Sequence, residues 1–280
     1  MNTVAIVGVG LIGASFALAL RKNGFTGDLI GVSSPAALQS GREVGAITGA
    51  ATLEEAAAAA DLIYLAQPVD RILVTIEKLA GLVREGSLVT DAGSTKAAIV
   101  AKAAAFLPPD QFLGGHPMAG KEQRGAEAAN ADLFRNRPYV LTPHSGESPA
   151  SRDFRSWLPR IGANVIDLSA KEHDATVALT SHLPQILSTA LALTLARKQS
   201  DYSSKVFGQG LLDMTRLAMS TPELWLSILN TNKEEVASAL NAYSRTLSDL
   251  HNALGSDTLM ELFEAGAGWA KQVRDKNAET

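Results

Sequence analysis

The 280-residue sequence predicts an α/β chain: a doubly wound, mostly parallel sheet followed by an all-α region. Three observations carry this. Short apolar runs alternate with helical patterns through the first half, as in a parallel sheet covered by helices on both faces. A glycine triplet, Gly8-x-Gly10-x-x-Gly13, separates the first apolar run from the first helical pattern. From Ala170 onward the sequence reads as consecutive helices with no convincing strand, which places a boundary near residue 168.

The elements follow in order. Thr3–Val9 reads as a buried strand and Leu11–Asn23 as the helix behind it. Strand patterns recur at Leu29–Val32, Leu62–Ala66, Ser87–Thr90, Phe112–Gly114, Tyr139–Leu141 and Asn164–Asp167, with helices such as Val69–Arg84 and Thr95–Phe106 between them. His173–Lys198, Asp201–Ser220, Pro222–Asn230, Lys233–Leu254 and Asp257–Arg274 then read as helices. Pro184 lacks a backbone donor and is expected to bend the first of these. Thr221-Pro222 is a strong helix start, a capping hydroxyl followed by proline at the first position. Ile186–Leu195 is apolar on more than one face and must be covered. The expectation is a homodimer packed through the all-α domain, residues 169–280.

The glycine triplet carries the most chemistry. Gly8 permits a tight turn, Gly10 lets a pyrophosphate approach the backbone, and Gly13 lets helix pack on strand. The helix N-terminus at Leu11 and Ile12 offers unpaired N–H groups and a positive dipole end. This is a Rossmann-type dinucleotide fingerprint, so residues 1–168 read as a nucleotide-binding domain. A signal peptide does not fit, because no basic residue precedes the apolar run and Arg21 and Lys22 follow it. A carboxylate that binds the ribose 2′-hydroxyl normally lies about 20 residues past the fingerprint. Here Ser33 and Ser34 occupy that place. Two hydroxyls can donate to a 2′-phosphate that a carboxylate would repel, which favours NADP over NAD.

Composition narrows the rest. With 25 basic against 29 acidic residues the net charge is −4, which argues against nucleic acid as partner. The absence of cysteine removes disulfide and thiolate chemistry. No apolar stretch of about 18 residues predicts a membrane span, and the expected location is cytoplasmic. The five histidines form no pair at metal-binding spacing, so no metal is expected.

Polar residues gather at predicted strand ends. Asp91 to Lys96 follows the fourth strand, where Ser94 could act on a ligand or merely cap the next helix. His116 sits in Gly-Gly-His-Pro-Met-Ala-Gly after the fifth. His182 lies beside the expected kink, as a ligand contact or a satisfied core residue. Asp213 and Arg216 are three apart on one helix face, which alone reads as a surface ion pair worth little.

Taken together, these segments resemble the prephenate and arogenate dehydrogenases of tyrosine biosynthesis over nearly the whole chain. The resemblance rests on Gly8-Val9-Gly10-Leu11-Ile12-Gly13-Ala14-Ser15, Asp91…Ser94-x-Lys96, His116-Pro117-Met118-Ala119-Gly120, and Leu133-Phe134 before Pro138-Tyr139-Val140-Leu141-Thr142-Pro143. It continues through His173-Asp174, Ser181-His182-Leu183-Pro184, and Asp213-x-x-Arg216 leading to Pro222-Glu223-Leu224-Trp225. It implies an oxidative decarboxylation in which a cyclohexadienol loses hydride and carbon dioxide and becomes aromatic. By the same resemblance a neutral His116 accepts a hydrogen bond from the C4 hydroxyl. Ser94 binds the same hydroxyl and helps seat the nicotinamide. Arg216 clamps a substrate carboxylate, His182 contacts substrate from the helical side, and Glu122 helps gate the entrance.

Two departures matter. Leu212 stands where the family often has a cation, and Lys121 where it commonly has a hydroxyl. Lys121 is therefore expected to restore positive charge near the substrate carboxylates. Two alternative readings are a non-catalytic NADP-binding sensor and another two-domain 3-hydroxy-acid dehydrogenase. His116, Ser94 and Arg216 together argue against both. With the fingerprint starting at residue 4 and the sequence ending at 280, neither a fused mutase nor a regulatory domain is expected, so tyrosine would inhibit only at the active site.

Overall fold

The computed structural model describes residues 1–280 apart from 122, 144, 145, 199–204, 279 and 280. The chain divides into two compact units, Met1–Asn232 and Lys233–Thr280. The fold class matches the expectation. Its strands are β1 (Thr3–Val7), β2 (Asp28–Val32), β3 (Gly49–Ala50), β4 (Leu62–Leu65), β5 (Leu88–Asp91), β6 (Phe112–Pro117), β7 (Pro138–Thr142) and β8 (Asn164–Asp167). They form one sheet in the order β3-β2-β1-β4-β5-β6-β7-β8. All pairings are parallel except β6 with β7. Among the described residues no α-helix lies between β6 and β7, only the 3-10 turn Ala126–Ala128, and the chain returns in the opposite direction. The two-residue β3 is too short to leave a pattern in the sequence.

Helices α1 (Leu11–Lys22), α2 (Pro35–Glu43), α3 (Leu53–Ala59), α4 (Val69–Lys78), α5 (Ala97–Phe106) and α6 (Pro149–Arg160) cover the sheet. One face packs Phe16 flat on Tyr64, ring centroids 4.0 Å apart, with Phe134, Tyr139 and Phe154 around them. The other buries Ile63, Leu65, Ile72, Ile76 and Ile99. Helix α4 stops at Lys78 rather than Arg84, because a three-residue turn from Leu79 O to Leu82 N (3.0 Å) tightens the chain. Strand order reverses at β1: β2 and β3 run to one side, β4 to the other. A crevice is left at the carboxyl ends of β1 and β4, the place where such sheets bind ligands.

The helical region begins with α7 (Ala170–Val177), three residues before the predicted start. Ser169 makes a capping box there: its Oγ accepts from Glu172 N (3.2 Å) and the Glu172 carboxylate accepts from Ser169 N (2.9 Å). A π turn over Ala178–His182 then leads into α8 (Leu183–Lys198). The interruption expected from Pro184 thus takes the form of a widened turn just ahead of it. The predicted helix Asp201–Ser220 is shorter in its described part. Residues 201–204 lie outside the described residues, and α9 (Gln209–Thr215) starts after Gly208 and passes into a 3-10 turn, Arg216–Met219. Thr221 precedes α10 (Pro222–Thr231), but its hydroxyl makes no capping bond, so the proline carries that helix start. The second unit consists of α11 (Lys233–Asn252) and α12 (Thr258–Ala278). Among the described residues no helix is long and apolar enough to cross a membrane.

Candidate active site

The crevice at the reversal point opens into a cleft of about 510 Å³. Gly8 and Gly10 form its floor, the β4 end (Ala66 to Pro68) one wall, and Ser33 and Ser34 at the β2 end another. Gly8 holds φ at +98°, and a side chain on Gly13 would lie 2.2 Å from the Gly8 carbonyl, so the strand-to-helix turn requires both glycines. The cleft thus has the shape, glycine-lined approach and helix N-terminus that a dinucleotide pyrophosphate needs. Leu11, Ile12 and Gly13 start α1 behind the floor and do not line it. Ser34 also caps α2, accepting from Ala37 N at 3.4 Å. Glu127, in the Ala126–Ala128 turn, also lines the cleft, and its carboxylate accepts from the Ser40 hydroxyl of α2. That bond holds the Glu127 carboxyl below the usual range.

On the same carboxyl edge of the sheet, β5 and β6 end in a buried polar cluster. Lys96 and Asp91 are fully buried and ion-paired. Asp91 also accepts from Gly93 N (2.8 Å) and Gly115 N (3.1 Å), and Lys96 Nζ donates to Gly115 O (2.7 Å). A side chain at 115 would lie 2.6 Å from the Asp91 carbonyl, so glycine lets β6 close onto the end of β5. His116 follows directly. Its Nδ1 lies 2.8 Å from His173 Nε2, and His173 Nδ1 lies 2.7 Å from Asp174 Oδ1. The Asp174 carboxylate also accepts from Lys96 N (2.7 Å) and Ala97 N (2.8 Å), so it caps α5 from α7. Asn232 Nδ2 donates to the Asp174 carbonyl (2.8 Å) and lies 3.3 Å from His182 Nδ1.

Burial keeps both outer histidines neutral. It holds His116 well below its ordinary 6.5, and neighbouring His173, Lys96 and His182 push the same way. Burial lowers His182 to about 4, against the opposing pull of Asp174. Lys96 is also lowered by burial, with Asp91 and Asp174 opposing.

The structure therefore gathers His116 and His182 into one cluster, with Ser94 half-buried in the loop between Asp91 and Lys96. Ser94 does not cap α5, since Asp174 takes that place. Arg216 is exposed at the head of the 3-10 turn. That turn is fastened to α8, where Gln185 Nε2 donates to Leu217 O (2.7 Å) and Ser188 Oγ accepts from Ala218 N (3.0 Å). Lys121 is exposed, with Nζ 3.3 Å from Ala128 O, on the loop that carries Glu127. Glu122 lies outside the described residues. Sequence reasoning gave no part to Glu127, Ser40, Gln185, Ser188 or Asn232, none of which belongs to a recognisable spacing. It noted His173-Asp174 without a role.

Comparison with known proteins adds an independent line. Residues 16–167 match the family model described as prephenate dehydrogenase, nucleotide-binding domain, and residues 169–265 the one described as prephenate dehydrogenase, dimerization domain. A prephenate dehydrogenase of Bacillus subtilis is 33% identical over 277 residues, covering 94% of this chain and 72% of that protein. The crystal structure of prephenate dehydrogenase from Aquifex aeolicus, in complex with hydroxyphenyl propionate and NAD+, superposes with a TM-score of 0.86 at 31% identity, covering 100% of this chain and 98% of that one. Synechocystis arogenate dehydrogenase gives 0.82 at 32% identity, covering 98% and 99%.

Proposed function

Since this chain belongs to the prephenate dehydrogenase family, we propose that it oxidatively decarboxylates prephenate or its amino counterpart arogenate, using a nicotinamide dinucleotide. The observation that carries this reading is a neutral, buried His116 on the same sheet edge as the dinucleotide cleft. The bound cofactor would supply a hydride acceptor, held by the Gly8–Gly10 turn and the N-terminus of α1. The electron pair of the C4–H bond leaves as hydride, and the pair of the C1–carboxylate bond enters the ring as carbon dioxide departs. The product hydroxyl ends with its own proton. The protein must orient the ring and manage that proton.

His116 accepts the hydrogen bond from the C4 hydroxyl and draws electron density onto that oxygen as the hydride leaves. Ser94 binds the same hydroxyl. His182, receiving the Asn232 amide at Nδ1, presents an N–H at Nε2 to a substrate oxygen. Arg216 clamps a carboxylate with its planar fork, Lys121 adds positive charge near the substrate carboxylates, and Glu122 helps gate the entrance. Residues 1–168 form the cofactor domain and 169–280 the substrate and dimer domain, a reading supported by the change of family model between 167 and 169. A homodimer would cover exposed apolar side chains such as Met214, Met219 and Leu226, and separately Phe263 and Trp269.

For the cofactor, Ser33 and Ser34 support NADP. Against it, Glu127 brings a carboxylate to the same cleft, and no Lys or Arg stands among its described lining residues. Repulsion of a 2′-phosphate by that carboxylate outweighs two neutral donors. We therefore take NAD as the preferred form, reversing the preference drawn from the sequence. The NAD+ bound to the Aquifex relative supports this.

Assays of the purified protein with each substrate and each cofactor, followed by reduced-cofactor absorbance, test the reading. Inactivity in all four combinations overturns it. His116→Asn should cut turnover while leaving cofactor affinity intact, and Arg216→Ala should mainly raise KM.

A further inference from the structure

We propose that Asp174 and His173 are positioning residues that fix the proton of His116 on Nδ1, and so present a bare Nε2 to the substrate hydroxyl. The assignment runs along the chain of contacts. The Asp174 carboxylate is held by two main-chain donors, Lys96 N and Ala97 N, so it cannot turn away from His173. A carboxylate only accepts, so His173 Nδ1, 2.7 Å away, carries a hydrogen. With that one hydrogen on the His173 ring, its other nitrogen holds a lone pair, aimed at His116 Nδ1 across 2.8 Å. Two lone pairs at that separation repel, so His116 Nδ1 is the donor. Its Nε2, which has no hydrogen-bond partner among the described residues, is left as the acceptor.

An acceptor at Nε2 is what the C4 hydroxyl needs. In the other tautomer Nε2 would carry a hydrogen and meet the substrate O–H donor to donor. The relay also resists rotation of the ring, because His116 and His173 are buried, 9% and 0% exposed. The groups facing His116 are His173 and Asp174 from α7, Lys96 with its partner Asp91 from the β5 end, and His182 from the π turn. Of these, His173 alone touches the His116 ring through a hydrogen bond.

The inference rests on the proposed reaction only for its kinetic arm. His173→Leu should lower kcat by roughly 100-fold, the scale of a single misplaced proton acceptor, with KM and cofactor dissociation constant near parental values. His173→Gln, whose amide oxygen can accept from His116 Nδ1, should recover at least tenfold of that loss. Equal impairment of the two variants, or kcat within threefold of the parent in His173→Leu, overturns the proposal. The second arm needs neither substrate nor a folded His173 variant. In the unsubstituted protein, long-range nitrogen–proton NMR correlation of the imidazoles, assigned by loss of signal in His116→Asn, should show His116 protonated at Nδ1. Protonation at Nε2 overturns the proposal whatever the substrate proves to be.

Discussion

Replacing Lys96 by methionine should destabilise the protein severely. Both members of the Lys96–Asp91 pair are 0% exposed, so no water can take over the lost partner. Asp91 would keep Gly93 N and Gly115 N as donors but lose its one ion-pair partner among the described residues, and Gly115 O would lose the Lys96 ammonium. Breaking a buried pair from one side costs about 3–5 kcal/mol. For a chain of this size that is a fall in Tm of roughly 6–20 °C. Urea denaturation followed by circular dichroism measures it. The double variant Asp91→Asn, Lys96→Met removes both charges and should recover at least half of the loss, because the cost lies in the stranded carboxylate rather than in the missing attraction. A single variant within about 1 kcal/mol of the parent, or a double variant worse than the single, would refute this account of the cluster.

Three further outcomes are expected. The acid limb of kcat/KM should lie well below 6.5, since the proposed reaction requires neutral His116 and would be lost only as pH falls through its lowered value; a limb centred at 6.5 or above counts against this. Stability should fall as pH drops from 6.5 towards about 4, where unfolded chains bind a proton that folded His182 does not, and this contribution should level off below. Urea midpoints across that window, flatter in His182→Asn, check the sign. Glu127→Gln should raise the efficiency of NADP relative to NAD, and an unchanged ratio would remove Glu127 from cofactor choice.

Much of the scaffold was readable because its signals are local. The glycine fingerprint is legible since Gly8 and Gly13 each answer to one backbone constraint, and Pro184 announces the π turn that ends at His182. The antiparallel return of β7 was not legible, because pairing direction depends on a connection with no periodicity of its own. His116 stood out through its glycine neighbours, whereas its contact with His173 joins residues 57 apart and leaves no trace in spacing. Glu127 sits in a three-residue turn, and only the fold brings it to Ser40, 87 positions away.

The capping of α5 by Asp174 ties the assembly of the chain to its chemistry. The main-chain groups at the start of α5 find their acceptor 78 positions later, beyond the boundary that the sequence suggests near 168. A fragment cut at that boundary would keep its glycine turn, its nucleotide cleft and the Lys96–Asp91 pair, yet Lys96 N and Ala97 N at the start of α5 would lose their acceptor. During synthesis the first half can therefore collapse early, while the polar cluster around His116 is complete only when the ribosome has released the segment bearing His173 and Asp174.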